Sequence, residues 1–318
     1  MVRAEQLKEF FTFRYIERIA LNIILVIAII DLCLIAYKGS NIQWLEYAKS
    51  GALTLALILG GLAYRVTNRS ERIASTFICA ALLILFTVVM SLYNYLLLPL
   101  ERAQIDEALA AIDISLGVDW PALMAWAAQN PVLNVVFRLV YMSTMAQITL
   151  LIVLLGLTGR VIQMDILLTS LIISAIITIC FWGLYPSFGA VAVYEVPANI
   201  SNAVAPMVGE AYARELKDLA ANGPTLIGPY EVRGLIGFPS YHSVLAFITL
   251  FASRPLKFVF PVLLVLNIIM LPAILVQGGH HLIDVIAGFV LCACAWWVAR
   301  HYVLANANKH NIPSIIPA

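Results

Sequence analysis

The chain has 318 residues, of which 62% are hydrophobic and only 12% are charged, and its mean hydropathy is +0.94. A typical soluble domain is about 45–50% apolar and about 25% charged. These values exclude a water-soluble enzyme, a disordered chain, collagen and a coiled coil. The net charge of +1, without a basic cluster, argues against binding to nucleic acid. We therefore expect an all-α, polytopic membrane helix bundle.

A membrane-spanning helix needs about 20 mostly apolar residues, and the sequence contains about eight runs of this kind. In chain order they are Ile19–Tyr37, Ala52–Val66, Ile73–Leu98, Leu133–Leu157, Ile166–Leu184, Ser240–Ser253, Leu256–Val276 and Leu282–Val303. With the N-terminus in the cytoplasm, twelve of the 19 lysine and arginine residues lie at inner span ends and seven lie on the outer side. The positive-inside rule then places both termini in the cytoplasm.

The order of the spans suggests a division of the chain. Residues 1–132 hold three spans and an outer segment, residues 133–303 hold the remaining spans, which carry the catalytic core, and residues 304–318 form a cytoplasmic tail. In an alternative division the core starts near residue 73, which gives a six-span catalytic core. Compact loops and minimal tails are typical of a protein of the bacterial plasma membrane.

Two long connections lie on the outer side. Residues Leu100–Val132 are either an amphipathic helix at the membrane face or a simple surface connector. Residues Pro186–Pro239 contain one short helical piece, AYARELKDLAA. A connection of this length in a compact protein is usually functional, so we expect it to act as a lid or a substrate guide.

Two short segments place polar residues at the outer ends of spans. Gly237–Ser243, with the sequence GFPSYHS, opens the sixth span, and Gly278–Asp284, with the sequence GGHHLID, opens the eighth. Ionisable residues inside spans are costly and are therefore functional candidates. Because both segments lie on the same side of the bilayer, they can meet.

The first segment has the features of a helix start that binds an anion. Pro239 followed by Ser240 is a helix-start signal, and a serine cap leaves nearby backbone N–H groups available to a phosphate. His242 in the first turn can lie beside that anion and protonate a leaving oxygen. An interfacial histidine with a satisfied hydrogen bond would also explain His242.

The second segment contains a histidine and a carboxylate at helical spacing. His280 and Asp284 are four residues apart and so share one helix face. The carboxylate can accept a hydrogen bond from one ring nitrogen, which fixes the tautomer and makes the other nitrogen more nucleophilic. His281 points about 100° away and is a weaker candidate. A structural hydrogen bond between spans is the alternative.

Together, PSxH and, about forty residues later, HxxxD resemble the second and third signature motifs of the type 2 phosphatidic acid phosphatase superfamily. The resemblance extends from about Asn134 to Tyr302. It implies that His280 attacks phosphorus to form a phosphohistidine and that Asp284 orients it. It also implies that His242 protonates the leaving group and that Ser240 helps to hold the phosphate. No metal and no cofactor are implied.

The sequence departs from this pattern in three places. The first signature, KxxxxxxRP, has no match, and Tyr185–Gly189 (YPSFG) lies at its place. Ile274 stands where the third signature has an arginine, and Tyr241 replaces the glycine of PSGH. These departures resemble the inositol phosphorylceramide synthase branch of the superfamily.

The missing cations bear on the substrate. A phosphate monoester carries a charge of about −1.5 to −2 near neutral pH, whereas a diester carries a single negative charge. A site with few cations suits the diester, because fewer charges must be desolvated. The remaining candidates for contact with the phosphate are Arg233 first, then Arg138, with Tyr241 and Ser240.

We therefore expect an integral membrane enzyme that transfers phosphoryl groups of lipid phosphate esters. Water would resolve the phosphohistidine in a phosphatase, and a lipid hydroxyl would resolve it in a transferase. Its partners would be a membrane phospholipid and, for transfer, a lipid alcohol. One alternative is a proton or ion transporter that uses the His–Asp pair. Another is a metal-dependent hydrolase with His242, His280 and Asp284 as ligands.

Overall fold

The computed structural model describes residues 13–230 and 234–309, and this part of the chain is almost entirely helical. It contains thirteen α-helices and a short 3-10 turn at Ala190–Ala192. The helices are α1 (Tyr15–Lys38), α2 (Trp44–Val66), α3 (Glu71–Leu96), α4 (Asp106–Ser115), α5 (Trp120–Gln129), α6 (Pro131–Met142), α7 (Thr144–Leu157), α8 (Val161–Leu184), α9 (Ala198–Val204), α10 (Glu210–Asn222), α11 (Tyr241–Ser253), α12 (Phe260–Gln277) and α13 (Leu282–Lys309).

The apolar helices confirm a membrane helix bundle. Five helices are long and apolar enough to cross a bilayer, namely α1, α3, α8, α12 and α13. The pairs α4–α5 and α6–α7, bent by 76° and 47°, raise this number to as many as seven. Two of the eight apolar runs predicted from the sequence are not among these candidate spans. Helix α11 has only 13 residues, and α2 carries Glu46, Lys49 and Arg65.

Local caps explain where several helices begin and end. The Ser70 hydroxyl accepts a hydrogen bond from the N–H of Ile73 at the start of α3. Asp119 accepts one from the N–H of Ala122 at the start of α5. At the end of α1, Gly39 has a φ of +65°, a left-handed conformation that glycine adopts at little cost.

Helix α3 lies in the interior of the bundle, where it packs against α1, α2, α7 and α8. Helix α1 contacts this core through one stripe that includes Ala20, Ile24 and Ile27, spaced three and four residues apart. Apolar side chains on its other faces, such as Leu25 and Ile29, are exposed. Exposed apolar residues on a long helix are typical of contact with lipid.

An ion cluster ties α1 and α2 to the core at the end of the bundle far from the two sequence motifs. Arg14 forms two hydrogen bonds with Asp165, at 2.6 and 2.8 Å, and contacts Glu17 at 2.9 Å. Arg65 bonds to the same Glu17 at 2.7 Å and to Glu71 at 2.7 Å. Because Glu17 and Asp165 are buried, their pairing with arginine is required to offset their desolvation.

The helices α4, α5, α9 and α10 cover the other end of the bundle, which we call the site end because α11 and α13 both begin there. Helix α10 contains the predicted AYARELKDLAA piece and confirms it. Helices α4 and α5 form within the first long connection, but Asp106 and Asp113 of α4 are buried instead of facing water. Their burial follows from contacts of α4 with α13 and with the turn at Ala190–Ala192.

Candidate active site

The two sequence motifs meet through hydrogen bonds between the first turns of α11 and α13. Ser240 is fully buried and caps α11, since its hydroxyl accepts a hydrogen bond from the N–H of Ser243 at 3.4 Å. The Ser240 N–H donates to the Asp284 carbonyl at 3.0 Å. The Ser243 hydroxyl lies 3.3 Å from the Val285 carbonyl. These contacts fix the starts of both helices side by side.

Gly288 allows this close approach. A Cβ atom at Gly288 would lie only 2.5 Å from the carbonyl oxygen of Ser240 and would also overlap the Ser243 hydroxyl. Helices α11 and α13 therefore cross in direct contact one turn beyond Asp284, and any larger residue would separate them.

His280 and Asp284 form the pair that their spacing suggested. Nδ1 of His280 lies 3.1 Å from Oδ2 of Asp284, and the same oxygen accepts a hydrogen bond from the His281 N–H at 2.9 Å. With Nδ1–H donating to the carboxylate, Nε2 keeps its lone pair for a reaction. Burial lowers the pKa of His280 to about 4, an effect that the Gly237 backbone and the Asp106 charge partly oppose. The ring is therefore neutral at neutral pH, as a nucleophile must be.

His242 lies close to His280 and contacts a residue outside both motifs. Its ring stacks on Tyr141 of α6, with centroids 4.2 Å apart and planes inclined by 17°. The Tyr141 hydroxyl is 3.4 Å from Nδ1 of His242. A Cβ atom at Gly278 would lie 3.0 Å from both Tyr141 and His280. Tyr141, which lies in neither sequence motif, is thus part of the site.

The His281 side chain is directed toward α4. It is fully buried, with Nε2 3.9 Å from Oδ1 of Asp106 and Nδ1 3.8 Å from Oδ2 of Asp113. Sequence reasoning assigned no role at the site to these two aspartates. Their seven-residue spacing, two helical turns, was the available signal that both face the same side of α4.

Asp106 holds the segment found at the place of the missing first signature. Its carboxylate accepts hydrogen bonds from the Ser187 hydroxyl at 2.7 Å and from the N–H groups of Phe188 and Gly189 at 2.9 Å each. Gly189 has a φ of +88°, and a Cβ atom there would overlap the Gly279 carbonyl. Asp106 therefore holds this segment in direct contact with Gly279, the residue that precedes His280.

Asp113 caps α13 from a different helix. Its two oxygens accept hydrogen bonds from the N–H groups of Leu282 at 2.6 Å and Ile283 at 2.9 Å. A negative charge at this position also stabilises the positive end of the helix dipole. Since the first turn of α13 carries Asp284, α4 helps to position the His280–Asp284 pair.

The other predicted site residues have different surroundings. Arg138 is exposed and lies 3.4 Å from the carbonyl of Ala205. The Tyr241 hydroxyl donates to the Leu171 carbonyl of α8, so it faces the bundle instead of the His280–Asp284 pair. Arg233 lies outside the described residues. Among the residues that the structure describes, no group of three His, Cys, Asp or Glu side chains is arranged to hold a metal ion.

A comparison with models of protein families matches residues 107–298 to the PAP2 superfamily. This is more than half of the chain, from the second residue of α4 to most of α13. The chain belongs to the PAP2 superfamily. The match confirms the superfamily that the two motifs predicted, and it covers both of them. PAP2 proteins are phosphatases and phosphotransferases, which supports an enzyme of this general type.

The PAP2 match leaves α1, α2 and α3 outside the matched range. No curated protein and no solved structure matches the chain.

Proposed function

We propose that this PAP2 protein transfers phosphoryl groups of membrane lipid phosphate esters through a phosphohistidine at His280. The observation that carries the proposal is the 3.1 Å contact between Nδ1 of His280 and Asp284, which leaves Nε2 as the nucleophile beside a second histidine, His242. A nucleophile oriented by a carboxylate, with an acid–base group nearby, is the arrangement that covalent transfer requires.

In the first half-reaction, Nε2 of His280 forms a bond to phosphorus as the bond from phosphorus to the leaving alcohol oxygen breaks. Asp284 stabilises the positive charge that develops on the ring, as a carboxylate does behind a catalytic histidine. His242 gives its proton to the leaving oxygen, so the alcohol departs neutral.

In the second half-reaction, His242 acts as the base, by microscopic reversibility. It takes the proton of a water molecule or of a lipid hydroxyl as that oxygen attacks phosphorus. The bond between phosphorus and Nε2 then breaks and restores His280. Water gives inorganic phosphate or a phosphorylated head group, whereas a lipid alcohol gives a new phosphodiester.

The phosphate would bind at the start of α11. The first N–H groups of a helix have no partner within the helix, and the dipole there favours an anion. Ser240 contributes by capping the helix, with its side chain buried behind the first turn. Arg138 precedes Tyr141 by one turn on α6 and is exposed, and it is one cationic candidate for contact with a phosphate oxygen. Arg233 is the other cationic candidate.

The charge around the site favours a diester substrate. The carboxylates of Asp106, Asp113 and Asp284 are all buried near His280 or His281. In the described part of the structure, no lysine or arginine is paired with any of these three carboxylates. Acidic surroundings repel a dianionic monoester more strongly than a monoanionic diester. We therefore favour head-group transfer of the inositol phosphorylceramide synthase type over hydrolysis of a lipid monophosphate.

We propose a bacterial plasma membrane as the location from the compact loops, and the distribution of basic residues supports a cytoplasmic position for both termini. The site end would then face the periplasm, and lipid substrate would enter from the outer leaflet. Metal is not needed for the steps above, because His280 and His242 supply the nucleophile and the proton.

The test is a lipid panel with the purified protein and its His280→Ala variant. Phosphatidic acid, phosphatidylinositol and an isoprenyl diphosphate are each supplied with and without ceramide or diacylglycerol, and both free phosphate and transferred product are measured. We expect turnover of phosphatidylinositol with an acceptor, and a loss of at least about 10³-fold in His280→Ala. His301→Ala, an exposed histidine at the far end of α13, is the matched control. Turnover that survives in His280→Ala contradicts the proposal.

A further inference from the structure

Tyr141 is a residue of the site for which neither sequence motif accounts. It is 9% exposed and comes from α6, about a hundred residues before His242 in the chain. Its ring lies almost parallel to that of His242, with centroids 4.2 Å apart. Its edge also approaches Gly278, beside His280. Tyr141 is therefore held against the face of His242 from one side while His280 lies nearby.

The face of a tyrosine ring in this position stabilises the protonated, positively charged form of a histidine. The negative face of the ring attracts a cation that stacks on it, and the attraction is stronger where water is excluded. Burial, in contrast, disfavours an imidazolium. The stacked tyrosine therefore offsets part of the cost of holding the proton that a general acid must deliver.

The Tyr141 hydroxyl influences the orientation of the His242 ring. It lies 3.4 Å from Nδ1, so this side of the imidazole is occupied by α6. Nε2 is then the nitrogen left to face a leaving oxygen. Ring and hydroxyl together favour the protonated state and the orientation that the leaving-group step needs.

We propose that Tyr141 is a positioning residue that favours protonation of His242 and directs its ring at the leaving oxygen, so that the enzyme can expel poor leaving groups such as lipid alcohols. This inference rests on the proposed function. It assigns Tyr141 to the step in which the leaving oxygen is protonated. A leaving group that departs without a proton does not need His242 as an acid, so its expulsion should not depend on Tyr141.

The test compares two leaving groups on the same phosphoryl group: the lipid substrate and its p-nitrophenyl ester, whose nitrophenolate leaves without a proton. A general acid contributes about 10²–10⁴-fold to a rate. We expect Tyr141→Leu to lower kcat on the lipid by about 10–100-fold and kcat on the nitrophenyl ester by less than about 3-fold. The basic limb of its kcat–pH profile on the lipid should move to lower pH. In the first turnover, before a base is needed, His242→Asn should show the same leaving-group pattern in the release of the lipid alcohol and of nitrophenolate.

Two further variants separate the ring from general disruption. Tyr141→Phe keeps the stacked ring but lacks the hydroxyl, and it should lose less lipid activity than Tyr141→Leu. Tyr194→Leu removes a ring that stacks on Trp120 at 6.0 Å at the same end of the bundle, and it should affect both substrates little. Unfolding temperatures in detergent show whether each variant is folded.

The outcomes distinguish the two proposals. Wild-type protein that turns over neither substrate, or turnover that persists without His280, contradicts the proposed function. Equal losses of Tyr141→Leu on both substrates, with wild type active and dependent on His280, contradict the inference about Tyr141 alone. A Tyr141→Phe variant that loses as much lipid activity as His242→Asn also contradicts it, and this comparison holds even if Tyr141→Leu fails to fold.

Discussion

The capping of α13 by Asp113 can be tested by substituting that residue. Asp113 is 2% exposed and accepts hydrogen bonds from two N–H groups of α13, at 2.6 and 2.9 Å. A hydrogen bond to a charged group contributes about 1.5–3 kcal/mol, and loss of a cap costs about 0.5–2 kcal/mol. Asp113→Ala removes both hydrogen bonds, but it also removes the free-energy cost of burying the carboxylate. We therefore expect a loss of about 2–4 kcal/mol, and about half of that for Asp113→Asn, which keeps one acceptor oxygen.

The same substitution should reduce activity, because the turn that Asp113 caps carries Asp284. A displacement of about 1 Å at a reacting group can cost about 10²-fold in rate, so we expect kcat of Asp113→Ala to fall by at least 10-fold. Asp119→Ala is the matched control, since Asp119 caps α5 with a 2.9 Å bond and is exposed. Thermal unfolding in detergent and turnover are measured on both variants. An Asp113→Ala protein with wild-type stability, or an Asp119→Ala protein with the same loss of activity, would refute this reasoning.

Three further predictions concern packing, the ion cluster and pH. Gly288→Ala should abolish most turnover because the new Cβ atom forces α11 and α13 apart. Gly51→Ala, with nothing within 4 Å of the new Cβ, should leave turnover unchanged. Asp165→Asn should destabilise the protein to thermal unfolding by about 3–5 kcal/mol because buried Arg14 loses one of its two carboxylate partners and keeps only Glu17, and Arg14→Gln in the same chain should recover part of this loss. The pKa of His280 is about 4 in the folded chain against an ordinary 6.5. The unfolded chain therefore binds more protons between these values, and stability falls as pH drops from about 6.5 to 4. The drop in unfolding temperature between pH 7 and pH 5 should be smaller in His280→Asn than in wild type. An equal drop in the two proteins would contradict a lowered pKa for His280.

The bundle and the His280–Asp284 pair could be predicted because their signals are local. Long apolar runs specify membrane helices, and a four-residue spacing places two side chains on one face whatever the rest of the chain does. Ser240 could be predicted as a cap for the same reason, since capping depends on the residues that follow it.

The contacts made by Asp106, Asp113 and Tyr141 could not be predicted in this way. Asp113 and Leu282 are 169 residues apart, and Tyr141 and His242 are 101 apart. Polar residues on an amphipathic helix show that it has two faces, but not whether water or another helix covers the polar face. A buried carboxylate and a solvated one therefore give the same pattern in a single sequence.

The bend between α6 and α7 was also hidden in an apparently continuous apolar run, Leu133–Leu157. The Ser143 hydroxyl bonds to the Val140 carbonyl and the Thr144 hydroxyl to the Tyr141 carbonyl, at 2.6 and 2.9 Å. Hydroxyls that bond to the preceding turn compete with helical hydrogen bonds and bend helices. Hydropathy alone does not register this competition.

The most direct test of the central claim is to locate the phosphoryl group during turnover. Wild-type protein and His242→Asn are mixed with a substrate that carries a labelled phosphoryl group and a nitrophenyl leaving group, quenched in alkali within one turnover, and digested for mass spectrometry. We predict an acid-labile label on the peptide that contains His280, more persistent in His242→Asn because the base for the second half-reaction is missing. Turnover without any label on His280, or a label on a different side chain, would contradict the account.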